Sequence, residues 1–309
     1  MSLVFNDLIK EIGRGARGAR GLAPELAYES FRALLRGNID DVQLGAWWIA
    51  MRIKGESEDE LAAFERAMQD TLSFRVTSDQ PVVVLPCYNG ARQLPNLTPL
   101  LAWALAKRNV RVLLHGVRDD PTRVSTFELF GALKFPRAHD AEQANAALRD
   151  SGFVFTAIDA IHPMLAQLLA NRWRIGVRST PHTVAKLLQP IEGVAVRTVA
   201  LTHGDYVERM GAHLQAARTN AVVFRGCEGE PVLHPKRKVS LQLFQNGDSL
   251  IREWLGVESH HLPETCDTAT TVAYIQDVMH GRRPMPEWIE WLAQELQVAT
   301  HAEITSNNS

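Results

Sequence analysis

The chain has 309 residues, 46% of them hydrophobic and 22% charged, with a formal net charge of −2. That length exceeds the usual single domain and the composition is ordinary, so the expectation is one large globular domain with a smaller satellite. The near-neutral charge excludes a uniformly basic binder and confines any nucleic-acid affinity to local patches, while the lack of a membrane-length apolar run or an apolar signal core predicts a soluble, cytoplasmic protein with no membrane partner.

The first 75 residues read as helices without strands. A helix around Tyr28 to Leu35 ends at Gly37. Asp40 with Gln43 makes a capping-box signature, after which Leu44, Trp47, Trp48 and Met51 recur at helical spacing up to Gly55. Ser57 with Glu60 is a second capping box, followed by Leu61, Phe64, Met68 and Leu72 on one face. Residues 1–75 are therefore assigned to an all-helical domain, with the tryptophans as core and enough apolar surface for a dimer contact. Inside it, the glycine spacing of Arg14-Gly15-Ala16-Arg17-Gly18-Ala19-Arg20-Gly21 spoils a helix and predicts a mobile loop. Arg14, Arg17 and Arg20 on such a backbone can each meet a phosphate; the alternative is a solvated loop with no partner.

From residue 76 the pattern changes to strands alternating with helices. Val82 to Leu85 is a buried strand, and Pro86 to Arg92 is a turn, because Asn89-Gly90 tolerates positive φ and Pro86 cannot continue a ladder. Thr98 as N-cap and Pro99 as first residue open an apolar helix through Ala106, and Val110 to Leu114 is the next strand, ending at His115-Gly116. Strand, loop, helix and strand make one βαβ unit, whose ligands bind at the carboxyl ends of the strands. Further strands are expected at 153–156, 194–201 and 221–224, with helices from Pro163 to Leu169 and Tyr206 to Ala217, a turn at Asn246-Gly247, and two closing helices at 268–280 and 287–298. Ser306 to Ser309 reads as a frayed tail. The predicted fold class is α/β, with a small N-terminal all-helical domain (1–75) and a larger domain (76–309) built on a central, mostly parallel sheet.

Cys87, Cys227 and Cys266 are odd in number and widely spaced, which argues against a disulfide framework or a zinc site. His115 at a strand end has two readings, donation to a phosphate or a bond to a backbone carbonyl. His162 before Pro163 reads as a helix-entry residue, His182 as a cap, and His260-His261 lacks a third ligand at metal spacing. No Ser-His-Asp or Cys-His arrangement follows from spacing, and there is no GxGxxG or P-loop. Basic groups cluster at Lys236-Arg237-Lys238 and at Arg172, Arg174 and Arg178 around Trp173. Trp173 or Tyr88 could stack on an unpaired base; the bland alternative is a core tryptophan and a solvated turn.

The run Arg36-Gly37-Asn38 to Gln43, then Met51 to Leu61, resembles the helical domain of anthranilate phosphoribosyltransferases and related nucleoside phosphorylases. The likeness continues through His115-Gly116, Ile161-His162-Pro163, Gly176-Val177-Arg178 and Glu228-Gly229-Glu230, and so covers nearly the whole chain. It implies a homodimer joined through the helices and, in that family, a cleft between domains that holds phosphoribosyl pyrophosphate with magnesium. The catalytic signatures depart from it. Where the family has Gly-Thr-Gly-Gly-Asp this chain has Pro86-Cys87-Tyr88-Asn89-Gly90, and where it has Lys-His-Gly-Asn there is Leu114-His115-Gly116-Val117. Proline removes a backbone donor and a tyrosine crowds the approach of a pyrophosphate. The resemblance places Asn89, Gly90, Asn96, Thr98, His115, Gly116, Arg118 and Arg123 in a vestigial phosphate pocket, with Glu228 and Glu230 as weak counterparts of the family's magnesium-binding acids.

One branch of that family carries these substitutions. Asn89 to Arg92, Asn96 to Leu100, Asp120 to Val124, Arg172 to Arg174 and Ile9 to Gly15 resemble the YbiB-type proteins. That resemblance implies a non-catalytic homodimer that binds nucleic acid, most naturally DNA, single- or double-stranded, with no cofactor. Arg14, Arg17, Arg20, Arg172, Arg174, Arg178, Lys236, Arg237 and Lys238 are its expected phosphate contacts. The alternative is a glycosyl- or phosphoribosyltransferase for an unidentified acceptor, using phosphoribosyl pyrophosphate and magnesium.

Overall fold

The computed structural model describes residues 5–15, 18–257 and 261–301; Arg17, His260 and the tail Ser306 to Ser309 lie outside them. In chain order the helical beginning is α1 (Phe5–Ile12), α2 (Pro24–Leu34), α3 (Asp41–Lys54) and α4 (Glu58–Gln69). Then come β1 (Val76–Thr77), β2 (Val82–Cys87), α5 (Thr98–Lys107), β3 (Arg111–Gly116), α6 (Thr126–Ala132), β4 (Arg137–Ala138), α7 (Ala141–Ser151) and β5 (Phe153–Ala157). Four short helices follow: α8 (Ile158–Ile161), α9 (Pro163–Ala170), α10 (Arg172–Ile175) and α11 (Thr180–Val184). The rest is β6 (Ile191–Glu192), β7 (Ala195–Leu201), α12 (Gly204–Ala216), β8 (Ala221–Arg225), β9 (Val239–Gln245), β10 (Asp248–Trp254), α13 (Thr268–Met279) and α14 (Glu287–His301).

The chain divides into two units, residues 1–73 with 159–190, and 74–158 with 191–309. The expected single boundary at 75/76 therefore misses a return of the chain to the helical unit. Long-range bonds hold that return: Ser73 N–H donates to Ile161 O, Trp48 Nε1 to Val177 O, and Ser179 Oγ to Trp48 O. Leu165, Leu168, Leu169, Val184 and Leu187 are buried there.

Within the helical unit the local signals act as their chemistry dictates. The Asp40 carboxylate accepts the Val42 and Gln43 amides, and Ser57 with Glu60 forms the reciprocal capping box. Phe31 packs on Phe64 with centroids 4.9 Å apart, and Trp47 and Trp48 are fully buried. Glu60, with no exposed side-chain surface, also accepts Leu22 N–H at 2.9 Å and pairs with the buried Lys54 ammonium at 2.5 Å. The chain after the arginine-rich segment is thereby tied to the start of α4. The described part of that segment is folded back rather than open, since Gly18 and Ala19 donate to Gly15 O and Arg20 to Glu11 O. His162 caps α9 through Nδ1 and its Nε2 meets Thr71 Oγ1 at 2.9 Å; burial pushes its pKa down to about 4.

The second unit is an eight-stranded sheet in the order β10-β9-β8-β7-β2-β3-β5-β4, parallel from β8 to β4 and antiparallel through β9 and β10. A two-stranded parallel pair, β1 with β6, stands apart from it. Alternation explains why β2 and β3 read as continuous apolar runs. Val83, Leu85, Val112 and Leu114 face the core shared with Leu101, Leu105, Ile275, Ile289 and Leu292. Val82, Val84 and Leu113 face Ala144 and Leu148 on the other side. The Asn246-Gly247 turn has positive φ at both residues, as the β9–β10 hairpin requires.

Two local expectations are corrected. β2 continues through Pro86 and Cys87, which pair with His115 and Gly116 of β3. The ladder between β2 and β7 stops at Val84, leaving a side on which a missing proline donor costs no bond. Thr98 is the first helical residue rather than the cap: Asn96 Oδ1 accepts the Thr98 amide at 3.2 Å, and the Thr98 hydroxyl is buried without a partner.

Candidate functional site at the carboxyl ends of the parallel strands

From β2 the chain moves outward to β3 and β5 on one side, and later to β7 and β8 on the other. The strand order thus reverses beside β2, and open α/β sheets bind ligands at the carboxyl edge of such a switch point. The loops leaving that edge are 88–97 after β2, 117–125 after β3 and 226–238 after β8. They pin one another. Ala91 and Val124 exchange both backbone bonds, at 3.1 and 2.9 Å. Gly116 is dictated by close approach, since a Cβ there would lie 1.7 Å from Cys87 O.

After β8 the chain makes a tight reversal. Cys227 bridges Glu230, and Glu228 and Gly229 between them both have positive φ, the pattern of a type I′ turn. A side chain at Gly229 would collide with Asn89 Nδ2 at 1.8 Å, and that amide donates to Glu228 O at 2.8 Å. The turn therefore sits directly on the loop after β2, and it aims both carboxylates there. Glu230 Oε1 accepts Asn89 N–H at 2.8 Å and Gly90 N–H at 2.9 Å, while Oε2 accepts the Thr126 hydroxyl at 2.9 Å. Glu228 Oε1 accepts the amides of Gln93, Arg92 and Leu94 at 2.9, 3.1 and 3.3 Å. Arg123 Nη1 reaches both Gly90 O and Glu228 Oε2 at 3.3 Å. Glu230 is 1% exposed, so its charge is balanced by donors rather than by water.

Of the expected phosphate pocket, the fold brings together Asn89, Gly90, Asn96 and Arg123 around these two acids. Asn96 is buried and its amide donates to Val124 O and Thr126 Oγ1. Thr98 begins α5 behind them. His115, at the end of β3, packs against Tyr88. It is wholly buried, and its Nδ1 is 2.8 Å from the Tyr88 hydroxyl. Tyr88 is itself 4% exposed, so it fills the strand end instead of stacking, and burial holds its phenol well above the ordinary range. Arg118 lies over the Phe127 ring, 5.0 Å from the centroid, with Arg137 over the same ring at 4.9 Å. Nothing in the spacing marked this stack or the Tyr88–His115 pair.

Magnesium does not fit Glu228 and Glu230 as they stand. A metal needs lone pairs facing one point, and here both carboxylates are spent on N–H and O–H donors. Among the described residues, no group of three His, Cys, Asp or Glu side chains could hold a metal ion.

The basic candidates lie in both units. In the helical unit Arg14 pairs with Glu11 at 2.5 Å and Arg174 with Asp41 at 2.8 Å, which raises the Arg174 pKa further. Arg172 covers the Trp173 ring at 4.0 Å, and Trp173 is 51% exposed rather than core. Arg178 is half-buried and its carbonyl accepts Arg52 at 2.5 Å. In the sheet unit Lys236, Arg237 and Lys238 are all exposed, and only Lys238 has an ion pair among the described residues, to Glu253 at 2.8 Å. No helix among the described residues is long and apolar enough to cross a membrane.

Comparison with known proteins places this geometry in context. Residues 6–72 match the model of the glycosyl transferase family helical bundle domain. The uncharacterized protein YbiB of Escherichia coli is 39% identical over 291 residues, covering 92% of this chain and 90% of that protein. An anthranilate phosphoribosyltransferase of Methanothermobacter thermautotrophicus is 27% identical over 301 residues, covering 92% and 83% of the two chains. Among solved structures, the anthranilate phosphoribosyltransferase of Thermus thermophilus superposes with a TM-score of 0.76 at 22% identity, over 95% of this chain and 89% of that one. The enzyme from Saccharomyces cerevisiae in complex with PRPP and Mg does so with a TM-score of 0.76 at 12% identity, over 96% and 88%. With the fold, the helical bundle and a full-length relative in agreement, the chain belongs to the anthranilate phosphoribosyltransferase-like family, on the branch that carries YbiB.

Proposed function

We propose that this protein is a homodimeric nucleic-acid-binding protein that has kept the transferase fold without the transferase chemistry. One contrast carries the reading: the loop amides at the sheet's carboxyl edge are bonded from within, whereas part of the basic run 236–238 at the surface is not paired among the described residues. Five amides of loop 88–97 bond Glu228 and Glu230, the Ala91 amide bonds Val124 O, and His115 meets the Tyr88 hydroxyl. Lys236 and Arg237 are exposed without an ion pair among the described residues, and Trp173 is half exposed with Arg172 over one side of its ring. Exposed guanidinium and ammonium groups bind phosphates with little sequence information, and an exposed tryptophan can stack on an unpaired base.

The second copy is supported by the helical unit. Val42 and Ile53 of α3 are 83% and 64% exposed, and Ile9, Ala46, Ile49 and Ala50 line the apolar groove beside Ile53. An apolar face of this kind on a small bundle suits burial against its own copy. Two copies double every basic patch.

Binding through phosphates releases counterions, so six or more contacts should cost roughly a thousandfold in affinity between 50 and 200 mM salt. A mobility-shift titration of single- and double-stranded DNA at those two salt concentrations tests the reading. Binding that weakens steeply with salt is expected, and no binding to either form at low salt would end it. The transferase alternative draws on family membership alone; heat on titrating phosphoribosyl pyrophosphate with magnesium would favour it.

A further inference from the structure

Backbone amides that converge on one point form a nest for an anion, and such nests are ordinarily filled by a ligand. In this chain one loop makes two such foci: the Asn89 and Gly90 amides meet Glu230 Oε1, and those of Arg92, Gln93 and Leu94 meet Glu228 Oε1. The acids come from a separate loop more than 130 residues away. They are fixed by backbone geometry that tolerates little else: Glu228 at φ 53°, and Gly229 pressed against Asn89. A non-glycine residue at positive φ carries strain, which persists only where surrounding bonds over-determine it. Arg123 adds a guanidinium, and Thr126 a hydroxyl, to the same two carboxylates. The donor set is therefore that of a site for a multiply charged oxyanion, and both negative charges in it belong to the protein.

We propose that Glu228 and Glu230 are resident anions: they occupy a working oxyanion nest, hold loop 88–97 in its bound shape without ligand, and close it to inorganic phosphate and pyrophosphate. The inference goes beyond the nucleic-acid reading and does not rest on it. The nest can be closed in a protein that binds no DNA, and open in one that does.

Titration of the full-length protein with pyrophosphate, followed through the amide resonances of residues 89–94, tests it. In the wild type those amides should be protected from hydrogen exchange with no ligand present and should not move on adding pyrophosphate. In the variant E228A/E230A the donors are freed, and pyrophosphate should bind about tenfold or more tightly than to the wild type, with shifts confined to the same loop. Saturable pyrophosphate binding by the wild type, or unprotected loop amides, would overturn the proposal. So would a folded double variant that gains no affinity. Should the double variant fail to fold, E230A alone offers the milder change: it removes the acceptor of the Asn89 and Gly90 amides and leaves Glu228 in place. Unaltered exchange at Asn89 and Gly90 in E230A would equally refute it.

Discussion

Replacing Glu60 by alanine probes the helical unit where burial and charge meet. The Glu60 side chain is wholly buried and that of Lys54 is 8% exposed, with Nζ 2.5 Å from Oε2. Alanine removes this pair together with the acceptor of Leu22 N–H at 2.9 Å and of Ser57 N–H at 2.8 Å. The Lys54 ammonium is then left with the Gly55 carbonyl. Breaking a buried pair from one side costs about 3–5 kcal/mol, and each orphaned amide adds about 1 kcal/mol where water does not reach it. A loss of about 5 kcal/mol is thus expected, a large part of the stability of any ordinary domain. Urea unfolding followed by the fluorescence of the buried Trp47 and Trp48 should show it. K54M should then recover part of the loss in E60A, because no charge remains stranded, with a coupling of about 2 kcal/mol or more. Leu22 lies two residues after Arg20, so the loosened anchor should weaken DNA binding too. An E60A protein within about 1 kcal/mol of wild type, or no coupling to K54M, would refute the reasoning.

Acid should weaken the helical unit before carboxylates explain it. Burial lowers the pKa of His162 to about 4; burial and then the Arg178 and Arg172 charges lower that of His182 to about 3, against 6.5 for the free side chain. Above pH 6.5 neither state is protonated; as pH falls below it, the unfolded chain takes up the protons first. Each histidine should therefore cost about 2 kcal/mol by pH 5, with further loss down to the folded values. An unfolding midpoint flat between pH 7 and 5 in H162Q/H182Q but not in wild type is expected. G116A should not fold stably, because its methyl would meet Cys87 O at 1.7 Å; a wild-type melting curve for it would contradict the strand pairing. Trp173→Ala should weaken single-stranded DNA binding about tenfold while Trp173→Phe keeps most of it, in line with about 1–3 kcal/mol for a stacked base, and equal losses on double-stranded DNA would point to charge instead.

What the sequence revealed, and what it withheld, follows the range of the interactions. The capping signals at Asp40 and Ser57 are local. Ser57 with Glu60 forms the reciprocal box as read, while Asp40 caps α3 but the Gln43 side chain turns to Asn6 instead of completing a box. The run at Val82 to Leu85 is apolar at every position because both faces of β2 are covered, and the Asn246-Gly247 hairpin is a two-residue decision. Pro86 misled because its cost depends on where a neighbouring ladder stops, which the strand itself does not record. Residues 159–190 carry ordinary helical periodicity, so nothing in them tells which unit they join. Trp173 and the tryptophans of α3 have the same chemistry and opposite fates, one half-exposed and two fully buried. The resemblance to the transferases drew attention to Glu228 and Glu230 as metal ligands. Their bonds to Asn89 and Gln93 span 135 residues or more, so these contacts emerge only when the turn after β8 is seen against the loop after β2.

The most direct test sets the two ligands side by side on one preparation. Pyrophosphate release from phosphoribosyl pyrophosphate with magnesium and anthranilate is measured in parallel with anisotropy of a fluorescent single-stranded oligonucleotide. A nucleic-acid binder without transferase chemistry should hold the oligonucleotide with an affinity that falls steeply with salt and show no release above the protein-free rate. Release that scales with protein concentration, together with an oligonucleotide that stays free at low salt, would contradict it.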